Sequence, residues 1–552
     1  MNLTKLLNNF KNIFDSGKCT EFLRQIYAND RLFSFDAFER TAYNCAQIMK
    51  DAGLADVEML PVKADGKTPY GDWVIPQAWN VESAVLKTAD GEIILADYNK
   101  VPCSLAMYSG AADIIADCVD ENAADLLGKI ILTSKPIGQM INFAVESGAV
   151  GIISDFIPLY KGVRDDLSEL QDVSRWDNSS FSHGNHGLFG FSISPANGKI
   201  LRDLIRQGKS TLHADVKTKS YNGVCYTVSG KIKGETDDSV CIYGHLYEPG
   251  ANDNASGCAV ILELARCINA AINNGILPRP RLTINFVMGW ECTGSVAWFC
   301  EKDRRSVCGF IPDMVGTDTI DNSHMCIWHA PMSNISFADY YIEHVIEAYK
   351  THFETEFEWE SKKFSIGTDN LLGDPYFSLP SSAMITEPAL SYHSSYDSPE
   401  RIQPDVIGRN GVIIGAYLMG LAAMETADVS ELWDGTVKYI NNTKFAHKSE
   451  LLKIARGTLK KCFPDFVSDM IPVRKVAGCL TFDSRSDLAD SKWQPAWNDG
   501  LNLPLYWADG KRNLWEIAVL SAEECGGDVG EQYRFVCEYF TFLRDNGYIE
   551  LI

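Results

Sequence analysis

Between residues 216 and 425 the chain alternates short apolar runs of β character with long apolar helical runs. YTVSGKIKG, DSVCIYGHLY, RLTINFVMGWE and SSAMITEPA read as strands, and SGCAVILELARCINAAINNG reads as a long helix. Strands alternating with helices require an α/β fold: a mixed, largely parallel sheet flanked by helices. In open sheets of this kind ligands gather outside the carboxyl ends of the strands. Side chains that close the strands are therefore expected to meet in one crevice.

Several of those side chains are of the metal-binding type. YGHLYEPGANDNASG holds His245 and Asp253, and NFVMGWECTGS holds Glu291 and Cys292. IPDMVG holds Asp313, and ALSYHSSYDSPERI holds Tyr392 and His393. Imidazole, carboxylate and thiolate together suit zinc. Each residue alone has an ordinary explanation. Asp253 and Asn254 form a natural turn and helix cap before Ala255. Cys292 reads equally well as a buried thiol. A calcium loop does not fit, because Leu264 stands twelfth from Asp253, where a bidentate Glu is needed. The joint order of the residues is the signal.

That order resembles the co-catalytic di-zinc aminopeptidases, the family of leucine-type aminopeptidases and glutamate carboxypeptidase. The family pattern is a strand-end His, then GA-D-D/N-xx-SG, Glu-Glu-x-Gly, Asp-Met-Val/Ile-Gly and Tyr-His near Asp-x-Pro. It is met here by His245, GANDNASG, ECTG, DMVG and YHSSYDSP. The resemblance implies a zinc exopeptidase fold over 216–425, peptide substrates and a metallo-aminopeptidase activity. It implies that Asp253 bridges two ions, His245 and Asp313 complete one site and His393 belongs to the other. It makes Glu291 the general base and Tyr392 an oxyanion donor. Cys292 stands where the family has a second, ligating Glu, so two zinc ions are expected, with one as the alternative. His245–Leu246–Tyr247 stands where the family has His-x-Asp, so support for His245 must come from elsewhere. A second reading, prompted by Cys292, is a catalytically silent protein that binds peptides or partners.

The rest of the chain reads as three further parts. Residues 1–65 are a helical N-terminal part of the peptidase domain. Residues 66–215, with GKIILTS, AVESGAVGIISD and FSISPANGKILRDLI, resemble a protease-associated insert. Residues 426–552 read as helical at first and end in a winged-helix-like pattern, WADGKRNLWEIAVL to FLRDNGYIELI. A winged helix invites nucleic acid, but the chain carries 50 Lys and Arg against 73 Asp and Glu, the wrong sign for phosphate binding. The basic run KFAHKSELLKIARGTLKK reads as a solvated helix face. His183 and His186 in SHGNH read as surface residues or lid contacts. No apolar run reaches the roughly 18 residues of a membrane span. The N-terminus lacks a signal-peptide core, and the 16 cysteines show no paired CxxC. The expectation is a cytoplasmic protein with no membrane partner, its oligomeric state left open to a homo-oligomer. GxSxG, HExxH, GxGxxG and GxxxxGK[ST] are all missing.

Overall fold

The computed structural model describes residues 2–177, 180–300, 306–377, 379–424 and 470–552. The expected helical start of the last unit and its basic run KFAHKSELLKIARGTLKK lie outside the described residues.

An eight-stranded sheet forms the centre. Its middle strands, Thr283–Trp290, Ser239–Leu246, Cys308–Asp313 and Ser381–Thr386, run parallel. Ala55–Ala64 and Gly223–Ile232 add antiparallel strands on one side, and Met325–Trp328 and Trp359–Lys362 extend the other. Helices Ala255–Asn273 and Pro404–Ala422 pack against Ser239–Leu246. Thr293–Cys300 packs on Thr283–Trp290. The α/β class read from the alternation is therefore the observed one. Parallel strands covered on both faces are apolar throughout, and every residue of Ser239–Leu246 is buried.

Helix Ala255–Asn273 is long and apolar enough to cross a membrane by length and composition, but Glu263 and Arg266 interrupt it and 78% of its apolar window is buried inside the protein. Val260, Ile261, Leu262, Leu264 and Ile268 are all fully covered, each worth about 1.5–3 kcal/mol of burial. Gly257 explains how close the helix comes to the sheet. A Cβ there would lie 2.1 Å from the carbonyl oxygen of Pro312.

A second, seven-stranded sheet is built from residues 78–221. Its long antiparallel pair, Ala78–Thr88 with Thr211–Tyr221, carries the chain out of the first sheet and back. The boundary expected at 215 thus falls within a strand. Strand Ala78–Thr88 runs for eleven residues.

The last unit contains helices Asp499–Tyr506, Leu514–Cys525 and Val529–Asp545. Strands Pro472–Arg474 and Ile549–Leu551 pair beside them. This unit is clamped to the domain of the eight-stranded sheet. Arg474 donates to both carboxylate oxygens of the buried Asp374, one at 2.8 Å, and the Gly478 N–H donates to the same group at 2.9 Å. Asp499 accepts from the Ser365 hydroxyl and the Ile366 N–H. The two contacts bracket a segment, 365–374, that reaches the candidate active site.

Candidate active site

His245 lies one residue before the end of strand Ser239–Leu246, buried at 2% exposure. Its Nε2 is 3.3 Å from Asp253 Oδ1, while His393 Nε2 is 3.3 Å from Asp253 Oδ2. One carboxylate is thus shared by two imidazoles, as a bridging ligand would be. Asp313, the last residue of Cys308–Asp313, completes the first half: ligand atoms of His245, Asp253 and Asp313 all lie within 4.8 Å of one another. A second group of the same tightness joins Glu248, Asp253 and His393.

The backbone around Asp253 is built to present it. Its own N–H and that of Asn252 donate to Asp397 at 3.0 and 2.7 Å. Gly250 leaves room for this, since a Cβ there would lie 2.4 Å from Asp397 Oδ2. Asn252 ties the turn to Thr317 and Gly316. Asn254 caps helix Ala255–Asn273 by accepting from the Gly257 N–H at 3.0 Å, and its amide donates to the Pro312 carbonyl at 3.1 Å. The turn-and-cap role and the place in the site therefore coexist in neighbouring residues.

Tyr247, Cys292, Met314 and His393 have positive φ values of 78°, 57°, 52° and 51°. Each of the first three directly follows a strand end or its terminal ligand-type residue, and the fourth is itself in the site. Such conformations cost about 1–3 kcal/mol apiece and gather where function over-determines the backbone.

Support for His245 comes from Asp369, whose Oδ2 lies 3.1 Å from His245 Nδ1. That contact fixes the ring and leaves Nε2 to face Asp253. Asp369 opens the short helix Asp369–Gly373 and was not singled out in the sequence. It sits within the segment that Asp499 and Arg474 hold from the C-terminal unit.

Cys292 departs from expectation. It joins neither ligand group and is fully buried in an apolar cluster with Trp73, Val296 and Phe364. Its N–H donates to Asp369 Oδ1 at 2.8 Å, and its sulfur lies 3.9 Å from the Thr368 carbonyl oxygen. Glu291, the residue before it, lines the cleft with Asp253, Asp313, Tyr392 and His393.

The electrostatics are those of a place made for cations. Burial pushes Glu291 up to about 8, helped by Asp369, Asp253 and Asp313 against the opposing pull of His245. Burial likewise pushes Asp313 up to about 7, with Asp253 adding to it. Burial raises Glu248 well above the usual carboxylate range, with Asp253, Glu291 and Asp313 adding to the shift. Burial also works against charge on Asp253, but His245 and His393 hold it well below that range. One buried oxygen, Asp313 Oδ1, has no hydrogen-bond partner. Unpartnered buried carboxylate oxygens are costly unless a cation meets them. A donor set of imidazole nitrogen and carboxylate oxygen fits zinc.

The cleft over these residues has a volume of about 1770 Å³ and is walled by all three parts of the chain. The second sheet's unit supplies Tyr108, Tyr160, Arg175, His183 and His186, and the C-terminal unit supplies Asp483 and Trp497. His183 and His186 are therefore exposed residues on the cleft wall. The Trp176 ring lies tilted against the His393 ring with centroids 4.9 Å apart, and the Trp176 backbone N–H donates to the His393 carbonyl at 3.1 Å. Arg164 donates to the carbonyls of Leu390 and Tyr392. The loop bearing His393 is thus held by the neighbouring unit.

Residues 227–418 match the model of peptidase family M28. A stretch of 90 residues is 33% identical to Leucine aminopeptidase 2 of Arthroderma otae, covering 15% of this chain and 18% of that protein. The chain therefore spans less than a fifth of this curated relative. The fold of BSAP, a zinc aminopeptidase from Bacillus subtilis, superposes with a TM-score of 0.53 at 19% identity, covering 75% of this chain and 96% of that one. A Clostridium acetobutylicum protein named only provisionally as a peptidase gives a TM-score of 0.55 at 14% identity over 99% of this chain and 98% of its own.

Proposed function

From a chain whose central domain belongs to peptidase family M28, we propose a zinc-dependent exopeptidase that removes N-terminal residues from short peptides. The observation that carries this reading is Asp253 held between two imidazoles, each half of the site having its own additional carboxylate. Four carboxylates, Glu248, Asp253, Glu291 and Asp313, crowd a largely buried space. Two divalent cations held by His245, Asp253, Asp313 and His393 would balance their charge. The chemistry such cations supply when bound is polarisation of a carbonyl and acidification of water.

The chain's own residues supply the rest. Glu291 stands at the cleft wall with Asp253 and Asp313, placed to take a proton from water and deliver it to the leaving amine. Burial keeps the Tyr392 hydroxyl protonated, so it can donate to a carbonyl oxygen. Stacking on His393, with ring centroids 3.8 Å apart, fixes the Tyr392 ring. Apart from the four carboxylates that the cations would balance, Asp65, Glu387 and Asp483 line the cleft with Lys67 and Arg175 among the described residues, a near-even balance that selects neither substrate terminus. The similarity to Leucine aminopeptidase 2 and to BSAP, both named as aminopeptidases, supports the choice of the free amino terminus here. The size and walls of the cleft favour short peptides over folded chains. Fifteen described cysteines are unbridged thiols, which supports a reducing, cytoplasmic setting.

The test is hydrolysis of free and N-acetylated dipeptide and tripeptide arylamides, before and after chelation and zinc return. Cleavage confined to free N-termini, lost with chelator and restored by zinc, is expected. An inactive zinc-replete sample across a broad peptide set would leave the silent peptide-binding reading standing instead.

A further inference from the structure

The sequence gives His393 and Asp253 no certain third partner, and the residue expected there, Cys292, faces an apolar core. The structure places a different side chain at that position. Glu248 follows Tyr247, which directly succeeds strand Ser239–Leu246. In an extended strand, residues three apart point to opposite faces. Tyr247 breaks that alternation with φ +78°, and Glu248 comes back to the His245 side, its Oε2 3.9 Å from His245 Nε2. The turn is not loose. The Tyr247 N–H donates to the buried Asp30 at 2.9 Å, its hydroxyl donates to the Tyr226 carbonyl, and its ring lies against Phe38 and Trp290. Glu248 itself is 8% exposed. Its carboxylate lies within 4.8 Å of the ligand atoms of both Asp253 and His393.

We propose that Glu248, and not Cys292, is the third protein ligand of the half-site formed by Asp253 and His393, so that the chain keeps a complete two-cation site of nitrogen and oxygen donors. This rests on the peptidase reading above and refines it. Both halves then have the same composition, one imidazole, one terminal carboxylate and the shared Asp253. Cys292 is left as a packing residue whose N–H holds Asp369. The ligand is local to the strand that bears His245, so one strand end, Ser239–Leu246 with its following turn, contributes to both halves.

The experiment uses the full chain, stripped of metal and dialysed against zinc, with bound metal measured by elemental analysis and folding followed by circular dichroism. Wild type and Cys292→Ser are expected to hold two zinc ions per chain, and Glu248→Gln one. Cobalt-loaded wild type, which needs no substitution, is expected to lack the intense near-ultraviolet charge-transfer band of a cobalt thiolate. Two ions retained by Glu248→Gln, one lost by Cys292→Ser, or a thiolate band that vanishes in Cys292→Ser would each overturn the assignment while leaving a zinc peptidase in place. A folded wild type that binds no zinc would instead remove the peptidase reading and the assignment with it.

Discussion

The two halves of the site are hung on different kinds of structure. His245 and Asp313 belong to neighbouring parallel strands, and both are nearly inaccessible. His393 sits in a loop with its side chain 24% exposed, and Glu248 sits in a turn. The first half is positioned by the sheet and by Asp369, on a segment held by the C-terminal unit. The second depends on Trp176 and Arg164 from the unit built on residues 78–221. The sheet supplies the strand-end ligands of the first half, and the appended units complete the support of both. The added units are therefore parts of the active-site architecture and not only covers over a cleft.

The largest expected effect leaves both halves intact. Glu291→Gln removes a proton carrier without removing a ligand, so turnover should fall by about 10²–10⁴-fold. Zinc content should stay at the wild-type value by elemental analysis. A variant that loses metal as well would mean that Glu291 is a ligand and that the division into halves is wrong. Asp369→Asn should act on the first half alone. Loss of the charged contact to His245 Nδ1 should weaken one zinc by about 10–100-fold, read by competition with a chromophoric chelator. Equal weakening of both ions would deny the separation.

How much of this was legible in the sequence follows from where each side chain is attached. His245, Asp313 and Glu291 end strands whose apolar runs are plain, and topology alone brings strand ends together. Asp253 was legible because a glycine, an asparagine cap and a helix start surround it. Glu248 was hidden, because only the left-handed turn at Tyr247 reverses the face it occupies, and no periodicity announces that. Of the two readings of Cys292, ligand or buried thiol, the structure shows the buried thiol: it directly follows Glu291, and the two diverge, one toward the cleft and one into the core. Asp369 lies 124 residues from the histidine it supports, in a polar stretch without pattern. The long strand Ala78–Thr88 was obscured by the Gly- and Pro-rich segment before it.

A smaller effect tests the second half. Trp176→Leu keeps most of the buried volume but removes the ring packed against His393. An aromatic contact of this kind is worth about 0.5–1.5 kcal/mol, roughly a two- to tenfold change. The ion held by Asp253, His393 and Glu248 should shift by that factor in chelator competition while the ion held by His245 and Asp313 stays put. A shift in the latter ion would mean that the loop supports the other half.

The mildest test needs no substitution. In the metal-free protein Glu291 rises to about 8 and Asp313 to about 7 from ordinary carboxylate values near 4. The folded state therefore holds more protons than the unfolded chain between about pH 4 and pH 8, and unfolding free energy falls as pH rises through that window. The melting temperature of the chelated protein should decline from pH 5 to pH 8. Bound zinc meets the same carboxylates as cations and stabilises the folded state by mass action, so the zinc-loaded protein should show a smaller decline or none. The difference between the two curves reports the charge that the cations neutralise. Since Asp313 belongs to the sheet-borne half, a Glu248→Gln protein with one ion should lose most of the decline too. Parallel slopes with and without zinc would mean that the buried carboxylates are neutralised by something other than metal, and the contrast between the halves would lose its electrostatic basis.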